Sequence, residues 1–322
     1  MQTGNTLFIS PIGLINKVLQ VFMSDSITLQ EASVLWLKSF DKKSAFWSEQ
    51  LFAFLYNVRG SKKFNGIKIA NVRINANLDR LFELVISHLE ERELIQSTKS
   101  RYYLIKNRPS QSLEIVCSLY PNGYASYLTA MKVYNLTDRF PKAIDFVAPT
   151  RNEWKKAKNT SLLENEIEGS SFSPSDFAIA YPSEILRFNR KKLNVYTRKE
   201  LLPYITRGEN VRVIDIGCLF LEMLRYPELC GGFQHVYEIF EEMGEAFQNE
   251  ILSATEKYGS NIDKVRIGYI FEKHLDITNS IINRWKSSSV SRGGSRKMIA
   301  DSPYSDIYDE TWCISLNHAI FQ

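Results

Sequence analysis

The sequence predicts an α+β fold: a mostly helical N-terminal domain that ends in a hairpin, then a larger mixed α/β domain. Three observations predict it. Helical periodicity dominates up to about residue 95 and gives way to a hairpin pattern. Beyond Pro109, strand-like and helical pieces alternate. A length of 322 residues suits two domains at roughly 150 residues each. We place the domains at 1–108 and 113–322, with Pro109-Ser110-Gln111-Ser112 as the junction.

The run from Leu7 to Met23 is apolar like a signal peptide, yet its first cation is Lys17 and no small-x-small cleavage site follows. Asn16, Lys17 and Gln20 interrupt it below transmembrane length. Ile12, Ile15, Val18, Leu19 and Phe22 recur at helical spacing, with Ser10 as cap and Pro11 at the first helical position. We expect an amphipathic helix packed on its own protein or on a second copy, a cytoplasmic protein, and no membrane partner.

Thr28 and Glu31 form a capping box that opens a helix through Leu29, Ala32, Trp36 and Phe40. A second helix is expected from about Ser44, with Trp47, Leu51, Phe54, Leu55 and Val58 inward and Gly60 near its C-cap. Residues 62–74 read as a short third helix or an irregular connection. Asn77 then caps a helix whose apolar face is Leu78, Leu81, Phe82, Val85 and Leu89.

Leu94 to Ile105 reads as two short strands around a polar turn. A helix running into such a hairpin is the layout of a winged helix-turn-helix, in which the helix enters the major groove and the wing touches phosphate. Arg73, Asn75, Asn77 and Arg80 would then face bases, and Lys99 with Arg101 would contact phosphate. The same helix carries Asp79, Glu83, Glu90 and Glu91 beside Arg80 and His88, which suits DNA poorly. A winged module that binds only protein therefore stays open.

In the second domain, Leu113 to Leu119 reads as β, Ser126 to Leu136 as helix and Ala143 to Ala148 as an extended run. Asn152 to Ser175 reads as surface loop and strand, and Ile185 to Val195 as one or two strands. Arg212 to Leu224 and His235 to Tyr258 read as helices, and Trp312 to Leu316 as the last strand.

Chemistry is mostly excluded. The net charge of +4 is too small for a uniformly basic nucleic-acid coat. Cys117, Cys218, Cys230 and Cys313 lack metal-ligand or dithiol spacing, and the histidines are equally scattered, so no metal site is expected and free thiols in a reducing compartment are. No nucleotide-binding, hydrolase, metalloprotease or kinase motif is present, and no Asp…Glu-x-Lys arrangement for a nuclease. We expect neither catalytic residues nor a cofactor. Asp215 reads as a helix cap or salt-bridge partner, Glu241, Glu242 and Glu245 as a solvated face, and Asp138-Arg139 as a structural post-helical turn.

Three stretches remain: Tyr124 to Pro141 with its Leu136-Thr137-Asp138-Arg139-Phe140-Pro141 ending; Leu224-Arg225-Tyr226-Pro227-Glu228-Leu229-Cys230-Gly231-Gly232 with Asp215 upstream; and Val265-Arg266-Ile267-Gly268-Tyr269-Ile270-Phe271-Glu272. Pro227 would stop the preceding helix, and Gly231-Gly232 permits a φ > 0 turn before a helix starting near His235. Arg225 and Arg266 would clamp carboxylates within the domain or face a partner.

In order and spacing these stretches resemble the AbiEi family of antitoxins, the repressor half of a type IV toxin–antitoxin phage-defence pair. The resemblance implies a winged-helix domain that represses its own operon at inverted repeats, and a C-terminal domain needed for antitoxicity. It also implies a nucleotidyltransferase-like toxin as partner, with or without a stable complex. The sequence departs from the family in the residues before its first capped helix and in a longer run ahead of the recognition helix. An α/β-domain nuclease remains a third reading, opposed by the missing carboxylate–lysine cluster. Lastly, Arg284, Lys286, Arg292, Arg296 and Lys297 surround a Ser/Gly-rich loop without an acid among them. They form either a mobile phosphate- or toxin-binding arm or a solvated loop.

Overall fold

The Thr28 capping box opens the first helix of a computed structural model that describes residues 26–161, 181–183, 186–290 and 296–322. The helix expected within Leu7–Met23 lies outside the described residues. The chain divides into two compact units, Met1–Ser110 with Lys156–Ile179, and Gln111–Lys155 with Ala180–Gln322. The fold is α+β.

In the first unit, strand β1 (Ser26–Ile27) leads into α1 (Leu29–Ser39). The Thr28 hydroxyl accepts the Glu31 N–H at 3.2 Å and the Glu31 carboxylate accepts the Thr28 N–H at 2.9 Å, pairing two otherwise orphan donors. The expected helix start at Ser44 is corrected. Ala45–Trp47 is a fully buried strand, β2, and α2 begins at Ser48 and runs to Ser61. Phe46 and Trp47 suit a strand, and pairing with Tyr103 and Tyr102 outcompetes extension of the helix. Gly60 lies near the C-cap as expected, and the cap itself is Lys62, in the left-handed position at φ 54°.

Residues 62–74, expected as helix or irregular connection, hold a hairpin. Strands β3 (Lys63–Phe64) and β4 (Ile67–Ile69) flank Asn65-Gly66, both at positive φ as a type I′ turn requires. Helix α3 (Leu78–Glu91) follows, its Asn77 side-chain oxygen accepting the Arg80 N–H at 3.0 Å. Strands β5 (Ile95–Ser97) and β6 (Tyr102–Ile105) then pair antiparallel, and β2 completes a sheet of order β2-β6-β5. Trp36 centres the core, edge-on to Phe40 and Phe46 and stacked on Phe54 at 5.1 Å. Helix, strand, two helices and a hairpin is an order compatible with a winged helix-turn-helix, with the β3–β4 hairpin added between the two helices.

The second unit opens on α4 (Ser112–Leu119), where a strand was expected. Glu114 accepts the Gln111 N–H at 2.8 Å and starts the helix; a short apolar run alone does not separate the two states. Next come β7 (Tyr124–Ala125), α5 (Tyr127–Val133), β8 (Ala143–Pro149) and α6 (Arg151–Ser161), the last replacing the expected loop and strand at its start. Strands β9 (Arg187–Phe188), β10 (Lys191–Arg198), β11 (Tyr204–Arg207) and β12 (Val211–Ile214) complete a mixed sheet of order β11-β12-β7-β8-β10-β9. Central β8 runs parallel to β10 and antiparallel to β7.

Arg212 to Leu224 is therefore not one helix: β12 ends at Ile214 and α7 spans Ile216–Arg225. Asp215 between them is the cap, accepting the N–H groups of Gly217 and Cys218. Alternate β8 residues serve different cores, Phe146 meeting Tyr120 and Val147 joining the main cluster with α5 and α7. Helices α8 (Phe233–Met243), α9 (Gln248–Tyr258), α10 (Asn261–Tyr269) and α11 (Ser280–Val290) follow. A small sheet closes the chain, with β13 (Arg296–Lys297), β14 (Tyr308–Asp309) and β15 (Ile314–Ser315), the last shorter than the expected Trp312–Leu316.

Candidate functional site

In the first unit, Arg73, Asn75, Asn77, Arg80, Lys99 and Arg101 are all exposed. Two of them have prior engagements. The Asn77 side-chain oxygen holds the α3 N-terminus, so only its amide is open to a ligand. The Arg101 guanidinium pairs with Glu49 on α2 at 2.6 Å while 78% exposed, so a phosphate must compete with that carboxylate. The turn before α3 is fixed by Arg59, which donates to the Ala76 carbonyl at 3.0 Å. Glu90 accepts the Ser97 N–H at 3.2 Å and the Ser97 hydroxyl, tying the hairpin to α3. Asp79, Glu83, Glu90 and Glu91 are exposed along α3 beside Leu84. The helix thus presents acids where a groove-reading helix presents donors.

In the second unit the three sequence stretches come together. Tyr127 sits at φ 51°, a rare conformation for an aromatic residue, and its ring packs edge-on against Tyr196 and Tyr226. Its hydroxyl donates to Glu222 at 3.4 Å. Glu222 is fully buried and takes both Arg198 and Arg225, the latter at 3.1 Å. Arg225 also reaches Asp263 at 2.8 Å and the Tyr258 carbonyl at 2.9 Å. Burial works against the Asp263 carboxylate, but hydrogen bonds from Arg225 and Ser260 outweigh it and hold its pKa below the ordinary value. Arg225 is the carboxylate clamp the sequence suggested.

Arg266 is not. It is buried, its Nε donates to the Lys297 carbonyl at 3.1 Å, and burial lowers its pKa. Pro227 opens a 3₁₀ turn to Cys230, and Gly231 and Gly232 follow at φ 92° and 96° before α8. The Arg139 guanidinium donates to the Gly231 carbonyl at 2.6 Å, locking the first stretch to the second, and Thr137 Oγ1 meets His235 Nε2 of α8 at 2.9 Å. Asp138 and Glu228 are exposed. Gly268 lies under the Trp312 ring, whose indole N–H donates to Glu272 at 2.6 Å, and the Tyr269 ring meets Phe321 edge-on.

The described cations of the 284–297 stretch are engaged within the domain. Arg296 and Lys297 lie in β13, paired with β15, and donate to the Ser289 and Ser302 carbonyls at 3.3 and 3.0 Å. Arg284 pairs with Glu256 and Lys286 with Glu272. Arg292 lies outside the described residues.

Two polar centres escaped the sequence reading. Glu222 is one; its signal was a single acid inside the apolar run Leu219 to Leu224. Asp145 on β8 is the other, accepting from Thr129, Asn194 and Tyr196, with burial raising its pKa. Among the described residues, no group of three or more His, Cys, Asp or Glu is placed to hold a metal ion. No described helix is long and apolar enough to cross a membrane. No protein-family model matches the chain, and a comparison with curated proteins gives no match.

Proposed function

We propose that the chain is a type IV antitoxin that counteracts a nucleotidyltransferase-like toxin and represses its own operon through its first unit. It acts in the cytoplasm, by binding and without catalysis. One observation supports this reading above the others. The three stretches that resemble the AbiEi family, distant in sequence, meet in one domain: Arg139–Gly231 and Tyr127–Tyr226 join the first to the second, and Val265, Ile267 and Tyr269 of the third share a hydrophobic core with Leu224 and Cys230 of the second. Residues that hold a fold together recur as a pattern in sequence, which is how such a resemblance arises. Co-expression with a nucleotidyltransferase-like toxin tests the reading: the protein restores growth, and its absence leaves growth arrested. Titration of the protein on its own promoter duplex tests repression, because specific binding exceeds binding to random sequence by a factor of about 10³ or more.

The acidic open face of α3 supports a second reading, in which the winged unit docks a protein and leaves DNA alone. Equal affinity for promoter and random duplex selects that reading.

A further inference from the structure

A dense cluster of positive charge lies in the second unit, on the β9–β10 hairpin. Arg187, Arg190, Lys191 and Lys192 are all exposed, within a six-residue segment that holds no acid. Lys142, also exposed, precedes Ala143, the register partner of Lys192 on β8. Arg187 stands opposite Lys192 in the antiparallel pair, an arrangement of like charges that disfavours the hairpin. Arg187, Arg190 and Lys191 make no ion pair among the described residues.

Two further features mark the cluster as more than a solvated edge. The connection is a two-residue turn with Asn189 at φ 47° and Arg190 at φ 69°, a type I′ geometry whose second position favours glycine. An arginine there trades local strain for a cation at the tip. The base is rigid: Phe188 is fully buried, and the Ser112 hydroxyl donates to its carbonyl at 3.0 Å. Protection of a sheet edge does not require this charge, because β9 is only two residues long and offers little to a pairing strand.

We infer that this hairpin is a phosphate-backbone contact for duplex DNA, separate from the winged unit and without base specificity. The hairpin has no apolar side chain at its tip to enter a lipid surface, since its one aromatic residue faces the core. The identity of the polyanion rests on the promoter reading above; the charge argument does not.

The test uses the full chain and a random-sequence duplex of about 30 base pairs, titrated at several salt concentrations. The variant R187S/R190G/K191S removes three cations and leaves an Asn-Gly turn, the favoured I′ pair, so folding is preserved and a thermal melt checks it. The slope of log affinity against log salt should fall by about 0.9 for each lost contact, up to about 2.7 for the three. An unchanged slope and affinity overturn the inference. Variant-sensitive binding to phosphatidylserine vesicles or to single-stranded RNA, without duplex binding, overturns it too. Promoter preference with an unchanged slope removes the hairpin contact and leaves repression standing. A reduced slope without promoter preference removes repression and leaves the hairpin contact standing.

Discussion

Gly268 and Trp312 occupy one space: a Cβ on Gly268 would fall 2.1 Å from the indole ring. The ring cannot easily retreat, because Trp312 is fully buried and its N–H is held by Glu272. Gly268→Ala should therefore cost about 1–3 kcal/mol of stability through overpacking, measured by urea unfolding. Combining it with Trp312→Leu should recover part of that loss, since the two sites share one contact.

Glu222 is the single buried carboxylate on which Arg198 and Arg225 both converge. Glu222→Ala leaves the largely buried Arg198 guanidinium without its carboxylate and Arg225 with Asp263 alone, and should destabilise the second unit by about 3 kcal/mol or more. Glu222→Gln keeps the hydrogen-bond acceptor and should lose less. Equal losses for Ala and Gln would mean that charge, and not geometry, dominates.

Burial, and then the Arg139 guanidinium, lower the pKa of His235, so the folded state prefers the neutral ring. A group with a depressed folded pKa binds protons more readily when unfolded. The contribution of His235 is thus fully present above about pH 6.5 and is lost as pH falls below it. Stability measured from pH 7.5 to 5 should decline, and His235→Gln should decline less over that window. His88, lowered by burial and Arg92, adds a parallel slope in the first unit.

Glu49 pairs with Arg101 of the β5–β6 hairpin. Glu49→Gln should raise affinity for any duplex by about two- to fivefold, the range expected for breaking an exposed pair. Lys99→Ala with Arg101→Ala should weaken all sequences alike and lower the salt slope. If neither change moves DNA affinity, the wing is not the contact.

The chain from Gln111 onward should fold without residues 1–110, and the start point matters. Gln111 donates its N–H to Glu114 at the head of α4, so a fragment from 111 should exceed one from 113 by about 0.5–1 kcal/mol. Growth rescue by the longer fragment would separate antitoxicity from repression.

The sequence carries its strongest information where the signal is local. Thr28-Glu31, Asn77 and the Leu78-to-Leu89 stripe specify their helices through adjacent residues alone, and the Leu94–Ile105 hairpin is similarly self-contained. Ala45–Trp47 and Ser112–Leu119 were misread because a short apolar run is compatible with either state. The partner that decides it, Tyr102–Leu104 for β2 and the sheet for α4, lies far along the chain. The Asn65-Gly66 pair is itself a local turn signal, and the β3–β4 hairpin forms around it. At the site, the carboxylate clamp by Arg225 was anticipated, whereas the binding of Arg266 to a backbone carbonyl leaves no mark in residue spacing. The acids that pair Arg284 and Lys286, Glu256 and Glu272, come from upstream segments, so residue spacing within 284–297 does not show them.

The parallel register of β8 with β10 sets how the chain acquires its structure. Ala143 and Lys192, partners in the sheet, are about 50 residues apart along the chain. That closure must occur before any of its ladder bonds repay the lost chain entropy. By contrast, α3, β5 and β6 assemble from neighbours. Refolding should accordingly be biphasic, with signals from the first unit recovering before those of the central sheet. A newly made chain would complete its first unit while the central sheet of the second is still closing.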